Sequence, residues 1–296
     1  MAERQNGDSA AGIAYAVSAY LLWGFLPIYM KALSAVPPAE VVAHRVLWSV
    51  PVAGAILIVL GRTADLKAAL MSPKMLRMGL LTAALISVNW GIYVWAIGSG
   101  HALDAALGYY INPLFSIFLG TVLLRERLTP MQMAAIALAA CAIGLVTWEA
   151  GRLPLVALGL TLTWGFYALL KKSLPIGPNQ GFMLEVLILL PLGVAYAGWL
   201  WWQGAAHFGQ DARTTWLLAG TGIVTAVPLM VYANGAKLLR LTTIGILQYI
   251  APTLIFLTAV LVFGESFSGT RMAAFALIWT ALAIYSFEML RLSRRG

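Results

Sequence analysis

Charged residues are scarce in this chain. Only 10% of its 296 residues are charged and 61% are hydrophobic, whereas a soluble domain carries about 25% charged residues. This number of charges is too small to cover a surface that faces water. Most of the exterior must therefore face lipid. The apolar runs are long and unbroken rather than alternating at period two, which favours helices over strands. The sequence therefore predicts an all-α polytopic membrane protein.

Residues and motifs for metal, redox and nucleotide chemistry are also few. The single cysteine, Cys141, cannot form an internal disulfide. The three histidines (His44, His101 and His207) lack the spacing of metal ligands. The sequence contains no phosphate-binding loop, serine-hydrolase elbow or zinc-protease motif. We therefore predict no metal, no cofactor, no ATP-driven step within this chain and no enzymatic activity.

The net charge of +8 would suggest nucleic acid binding in a soluble protein. Here the basic residues lie in short gaps between apolar runs, so they indicate membrane topology instead. The expected partners are membrane lipids and a small-molecule substrate, with no nucleic acid. The apolar stretch 11–30 exceeds the roughly 7–15 residues of a signal-peptide core, and we interpret it as a retained first helix.

Ten segments are long and apolar enough to cross the roughly 30 Å hydrocarbon core, which takes about 20 helical residues. With the N-terminus inside, fourteen Lys and Arg residues fall on the cytoplasmic side and four outside. Cytoplasmic loops retain basic residues, so we predict a bacterial inner-membrane protein with both termini cytoplasmic. The predicted spans are 11–31, 40–60, 75–98, 103–124, 130–148, 153–171, 180–202, 213–234, 242–263 and 271–291.

The chain resembles itself at an offset near 140 residues. Trp23-Gly24-Phe25 recurs as Trp164-Gly165-Phe166, and Pro51 matches Pro191. Several such matches in order predict a duplication, with repeats at 1–149 and 150–296. Each repeat has five spans, and an odd number inverts the second copy in the membrane, as in many transporters. The alternative is that the repeat only preserves packing.

Several motifs of the chain occur together in one group of transporters. They are Trp23-Gly24 with Pro27 and Lys31, the stretch 40–48 with His44-Arg45, the stretch 108–114 followed by Glu126-Arg127, and in the second half 248–253 and Gly264-Glu265. Together they resemble the RarD branch of the EamA-type drug/metabolite transporter superfamily, over nearly the whole chain. The resemblance implies ten helices, two EamA repeats, a central cavity and peripheral fifth and tenth helices. The RarD branch is named for chloramphenicol sensitivity, and relatives elsewhere export amino acids and other metabolites.

Two charged residues inside predicted spans are candidates for gating or coupling. Arg45 and its repeat counterpart Glu185 each precede a proline by six residues. A charge within the membrane is costly and should face protein or water. We expect the two about 15 Å apart along the membrane normal, with Asp104 as partner of Arg45 and Lys172 or Lys237 as partner of Glu185. Snorkelling to the interface is the alternative. Lys31 and His44 join this gating or coupling set.

Aromatic and amide side chains deep in the spans are candidates for substrate binding. Trp23 and Trp164 lie near the membrane midplane, where an indole N–H needs a partner. Buried amides also need partners, and amides beside helix-breaking prolines are typical of transporter sites. Packing between helices is the competing interpretation for each. The predicted substrate-binding set is Trp23, Asn89, Tyr93, Tyr110, Asn112, Trp164, Tyr232, Gln248 and Tyr249.

These features predict a secondary transporter of small organic solutes (amino acids, metabolites or amphipathic drugs), with efflux by alternating access through a central cavity. The alternatives are a passive, channel-like facilitator and a membrane enzyme acting on a lipid-linked substrate. Small residues at a spacing of four in the fifth span, Ala135/Ala139 and Ala140/Gly144, allow close helix packing. That packing would serve either a homodimer or a contact within the chain.

Overall fold

The computed structural model describes residues 8–98, 102–151, 155–262 and 268–293. Within these ranges the chain is helical and contains no strand. The helices are α1 (Ala10–Ala32), α2 (Pro38–Val59), α3 (Thr63–Leu70), α4 (Pro73–Gly98), α5 (Ala102–Val122), α6 (Pro130–Ala150), α7 (Leu155–Ser173), α8 (Pro178–Trp202), α9 (Ala212–Leu238), α10 (Leu241–Leu247), α11 (Ile250–Leu261) and α12 (Gly269–Ser293).

Several of these helices are both long enough and apolar enough to cross a membrane. In the part of the chain that the structure describes, six helices meet both criteria, and shorter apolar stretches lie at 111–122, 241–254 and 272–285. The chain is thus a multi-pass helical membrane protein, while the ten predicted spans stay a prediction. The six are Ala10–Ala32, Pro38–Val59, Pro73–Tyr93, Pro130–Glu149, Pro178–Trp202 and Ala212–Leu238.

Helix ends follow from local chemistry. Thr129 and Gln132 form a reciprocal capping box at the start of α6, and Pro130 occupies its first turn, where a missing N–H has no cost. Gly151 ends the same helix at φ 67°, a left-handed conformation that glycine adopts without strain. Ser9 and Asp211 cap α1 and α9 by accepting backbone N–H groups.

The most extensive helix contacts join the first half of the chain to the second. Helix α1 packs on α9 and α11, α2 on α8 and α9, α4 on α7 and α8, α5 on α7 and α10, and α6 on α12. At the α2–α9 contact Gly222 lies so close to Trp48 that a Cβ would stand 2.3 Å from the Trp48 carbonyl carbon. The two halves therefore interleave instead of forming separate bundles.

Two elements differ from the sequence-based expectation. Helix α3 was not expected; it is a short helix between α2 and α4, tied to α8 where Gln180 Nε2 donates to Asp65 Oδ2 at 3.0 Å. The predicted single span 242–263 is broken into α10 and α11 at residues 248 and 249. Pro252 has no N–H to donate to the Gln248 carbonyl, which instead accepts from Ala251 N–H at 3.3 Å, so the helix turns there.

The small residues of α6 divide between two environments. Ala135 and Ala139 are fully buried with Ala142 in a cluster shared with α12, so this half of the predicted motif makes a contact within the chain. Ala140 and Gly144 are exposed, and no heavy atom lies within 4 Å of a Cβ built on Gly144. The homodimer stays a prediction.

Candidate binding cavity

A cavity of about 150 Å³ lies at the junction of the two halves. Helices α1, α2, α4, α5, α7 and α9 surround it, together with the α10–α11 break. Its volume matches that of an engineered apolar cavity that holds benzene. The lining side chains are mostly aromatic and aliphatic with a few polar groups: Tyr20, Trp23, Leu26, Pro27, Met30, Arg45, Asn89, Trp90, Tyr93, Tyr109, Asn112, Trp164, Leu229, Gln248, Ala251 and Pro252.

One wall of the cavity consists of aromatic rings. Trp23 and Trp164 meet edge to face with ring centroids 5.5 Å apart, although 141 residues separate them in sequence. Tyr20 packs against Trp23 at 5.7 Å. Tyr232, only 1% exposed, contacts both tryptophans at 5.6 and 5.7 Å and supports this wall from behind. Such rings offer flat apolar surface and π faces to a solute.

Arg45 places a cation at another part of the cavity. Its Nε donates to Thr225 Oγ1 at 2.9 Å, and its guanidinium carbon lies 4.6 Å from the centroid of the Trp90 ring. These contacts hold the guanidinium between α9 and α4 by a hydrogen bond and a cation–π interaction. No carboxylate among the described side chains lies within 4 Å of it. The side chain of Asp104, its expected partner, lies outside the described ones.

Three buried polar atoms on cavity-lining residues have no hydrogen-bond partner among the described residues: Asn112 Oδ1, Gln248 Oε1 and Trp164 Nε1. Roughly 90% or more of buried polar groups in proteins have such a partner. Here the exceptions belong to residues of three different helical elements that surround one small space. Two acceptors and one donor beside the cavity therefore have no partner among the described residues.

Other predicted binding residues have different surroundings. Asn89 lines the cavity, but its Nδ2 already donates to Leu160 O at 3.0 Å and to Thr163 Oγ1 at 2.8 Å, so the amide also ties α4 to α7. Tyr93 lines the cavity and packs against Tyr109 at 6.0 Å. The side chain of Tyr110 lies outside the described ones. Tyr249 is fully buried in the cluster with α6 and α12, away from the cavity lining.

Glu185 lies in a second polar group, which does not line the cavity. Its Oε1 accepts from Lys171 Nζ at 2.8 Å, and its Oε2 accepts from Tyr167 OH at 3.1 Å. Both charged side chains are only 2% exposed. The expected partners Lys172 and Lys237 were wrong, because these side chains donate to backbone carbonyls of Leu239 and Leu174. We refer to Lys171, Glu185 and Tyr167 as the Lys171 network.

The same end of the bundle holds further ion pairs and caps. Glu126 accepts from the N–H groups of Leu241 and Thr242 at 2.7 and 2.9 Å, so a residue of the first half caps α10 in the second. Arg240 pairs with Asp8 at 3.0 Å. Burial alone would lower the pKa of Arg240, but the Asp8 carboxylate reverses this and the pKa is raised.

The remaining gating candidates lie toward the opposite end, outside the cavity lining. Lys31 is exposed in the last turn of α1. His44 is buried; its Nδ1 accepts from Trp48 Nε1 at 3.2 Å, and its ring stacks on Phe208 at 4.9 Å. Near them Glu40, fully buried, accepts from the His207 backbone N–H at 2.7 Å and contacts His207 Nδ1 at 2.8 Å. The sequence analysis missed this Glu40–His207 contact.

Sequence reasoning also missed Tyr20, Trp90 and Tyr109 as lining residues. Tyr20 and Trp90 follow a detectable pattern, since each lies three residues, about one helical turn, before a predicted residue: Tyr20 before Trp23, and Trp90 before Tyr93. Residues at that spacing share a helix face. Tyr109 differs from the predicted Tyr110 by a single position.

Comparisons with known proteins agree with this architecture. The EamA-like transporter family matches residues 10–148. An "Uncharacterized transporter" of Vibrio cholerae is 43% identical over 289 residues, 96% of this chain and 94% of that protein. "Protein RarD" of Escherichia coli K12 is 38% identical over 285 residues, 96% of each chain. "Chloramphenicol-sensitive protein RarD" of Pseudomonas aeruginosa is 33% identical over 291 residues, 97% of each.

A solved structure described as "Crystal structure of protein" has the same fold, with a TM-score of 0.73 at 21% identity, covering 96% of this chain and 99% of that one. The matches to these curated relatives cover 96% to 97% of the chain and therefore include both of its halves. The chain therefore belongs to the RarD branch of the EamA-like family of drug/metabolite membrane transporters.

Proposed function

We propose that this transporter is a secondary carrier that exports small organic solutes by exposing its cavity alternately to the two sides of a bacterial inner membrane. The observation that carries the proposal is the cavity itself. It lies between the two halves of the chain, and its mostly apolar lining includes a cation and three residues with a buried polar atom that has no partner in the described part of the chain. Polar groups inside a membrane bundle are costly and typically mark a solute pathway.

The helix contacts support a two-fold relation between the halves, which is what an inverted-repeat carrier should have. If α1, α2, α4, α5 and α6 correspond to α7, α8, α9, α10–α11 and α12, the contacts occur in matched pairs. The α1–α9 contact matches α7–α4, α1–α11 matches α7–α5, and α2–α9 matches α8–α4. The remaining contacts α2–α8, α5–α10 and α6–α12 are their own counterparts. Trp23 and Trp164 meet in the cavity as expected for such counterparts.

The Lys171 network is a candidate for the cytoplasmic gate. The predicted topology places the Lys171 end of the bundle inside the cell, with both termini cytoplasmic. Tyr167 links the network to the cavity, since its hydroxyl donates to Glu185 while its ring packs 5.6 Å from Trp164. A solute that displaces the Trp164 ring would therefore disturb the hydrogen bond to Glu185. Entry of a solute from the cytoplasmic side requires these contacts to separate.

A counterflow assay in proteoliposomes tests the proposal. Liposomes preloaded with an unlabelled solute should accumulate the labelled solute transiently and saturably, because a carrier exchanges one for the other. Amino acids, aromatic metabolites and chloramphenicol form the first panel, with and without a pH gradient. Flux that rises linearly with concentration and shows no counterflow would replace the carrier with a channel-like facilitator. A chemically altered solute would indicate a membrane enzyme.

The orientation of the chain in the membrane is tested separately, by the accessibility of a tag at each terminus in intact cells.

A further inference from the structure

Arg45 gives the cavity a fixed charge, and no carboxylate among the described side chains balances it. The Nε atom is occupied by Thr225 and one face of the guanidinium by Trp90. Among the described residues no acceptor is hydrogen-bonded to Nη1 or Nη2, and no carboxylate lies within 4 Å. The outer edge of the guanidinium carries the paired N–H groups that bind a carboxylate with two parallel hydrogen bonds. That edge is available on a side chain that lines the cavity.

The position of Arg45 also limits its freedom to move away. Thr225 is fully buried in α9, and Trp90 is 7% exposed in α4, so both contacts are anchored in packed helices. A guanidinium held in this way is preorganised for a ligand, because its conformational entropy is already lost. Snorkelling to a membrane surface would require both contacts to break. The structure therefore favours a binding role over an interfacial one.

The rest of the cavity defines the body of the ligand. Trp23, Trp164 and Tyr20 form a flat aromatic wall, and the volume of about 150 Å³ suits one six-membered ring with a small substituent. A cationic ligand would have to approach Arg45 in a space of low dielectric, where repulsion between like charges is strong. An anionic ligand meets a complementary charge there.

From these observations we infer that the cavity selects small carboxylates with a flat apolar body, and that Arg45 is the residue that determines this selectivity. Thr225 and Trp90 are positioning residues that hold the guanidinium. This inference deepens the proposed function and rests on it, since it takes the cavity as the solute site. It predicts that solutes of the same shape but different charge bind with different affinities, the anion most tightly.

Three probes of nearly equal shape test the inference: benzoate, neutral benzamide and cationic benzamidinium. Binding to the purified full-length protein in detergent at pH 7.5 is measured by titration calorimetry, because neutral forms of such probes cross lipid unaided. Benzoate should bind at least about tenfold more tightly than benzamide, as expected for one charge-assisted hydrogen bond. Benzamidinium should bind more weakly than benzamide.

Variants assign the selectivity to Arg45. In Arg45→Gln the preference for benzoate over benzamide should disappear while benzamide binding is retained, and Arg45→Lys should keep part of the preference. Thr225→Val should weaken benzoate binding less than Arg45→Gln does. Arg213→Gln removes one exposed positive charge from α9 outside the cavity and should leave all three affinities unchanged.

The inference is overturned if benzamide or benzamidinium binds the unmodified protein as tightly as benzoate, if none of the three binds, or if Arg45→Gln keeps the preference. The test does not depend on whether the variants fold, because the affinities of the three probes for the unmodified protein already show whether the cavity prefers the anion. They also separate the two claims. Selective benzoate binding without counterflow of any solute would support the charge selectivity and contradict the proposed carrier function.

Discussion

The cavity and the Lys171 network are both polar regions inside an apolar bundle, and they differ in how their polar atoms are satisfied. In the Lys171 network each carboxylate oxygen of Glu185 has a donor within 3.1 Å, and the cation and anion are paired. Around the cavity three buried polar atoms lack a partner among the described residues, and Arg45 has no described counter-ion. Satisfied polar groups stabilise one conformation, whereas unsatisfied ones are available to a ligand. Mutations in the Lys171 network should therefore lower stability in addition to any effect on gating, whereas mutations in the cavity should mainly alter transport.

The largest effect should follow from removing one charge of the Lys171 network. Lys171→Met leaves Glu185 buried without its ion-pair partner, which costs about 3–5 kcal/mol in comparable pairs. We expect a marked fall in the thermal unfolding temperature in detergent, and the double variant Lys171→Met/Glu185→Leu should recover much of it. Lys67→Met, at an exposed lysine of α3, is the matched control. Equal melting temperatures for Lys171→Met and Lys67→Met would contradict the assignment.

A smaller loss of stability is expected at the cap of α10. Glu126→Ala leaves the N–H groups of Leu241 and Thr242 without their acceptor, at a cost of about 1 kcal/mol by analogy with other helix caps. Melting temperature and amide hydrogen exchange at residues 241–247 report the change. Gln203→Ala replaces an exposed residue directly after α8 and provides the comparison. Unchanged exchange in Glu126→Ala would show that the cap does not stabilise α10.

Two asparagines in the cavity lining allow a direct comparison between a polar side chain that is hydrogen-bonded and one with an atom that has no described partner. Asn89→Leu removes two hydrogen bonds between α4 and α7 and should lower stability by about 0.6–1.7 kcal/mol, the range for polar contacts between membrane helices. Asn112→Leu removes an oxygen that has no described partner and should reduce counterflow with little change in melting temperature. The comparison fails if Asn112→Leu is the more destabilising of the pair.

The smallest effect on stability is expected for Trp164→Phe. The variant keeps an aromatic ring beside Trp23 and Tyr232 but removes the unpartnered Nε1 donor. The free energy of unfolding should fall by about 1 kcal/mol or less, because the smaller ring keeps most of the aromatic contacts, while the Michaelis constant of counterflow rises several-fold. A variant that melts early with normal transport would instead identify Trp164 as a packing residue.

Much of the architecture could be predicted from sequence, because the membrane imposes it. Few charges, long apolar runs and a repeat near 140 residues indicated a helical membrane transporter, and the helix bounds agree closely for α1, α2 and α8. Trp23, Arg45 and Trp164 were predicted as site residues from their depth and symmetry, and all three line the cavity. The position of the α10–α11 break was indicated by Pro252 and Gln248, although we predicted one continuous span there.

The sequence by itself thus determined that this protein lies in lipid and is helical: the scarce charges require a lipid-facing exterior, and the long unbroken apolar runs satisfy their backbone polar groups as helices. Tertiary structure alone decided which neighbours meet. Lys171 and not Lys172 reaches Glu185, and Tyr109 faces the cavity with Arg45. Adjacent residues on a helix point about 100° apart, so one step along the chain changes the partner completely. The rotation of each helix is set by packing against the others, and spacing in sequence does not encode it.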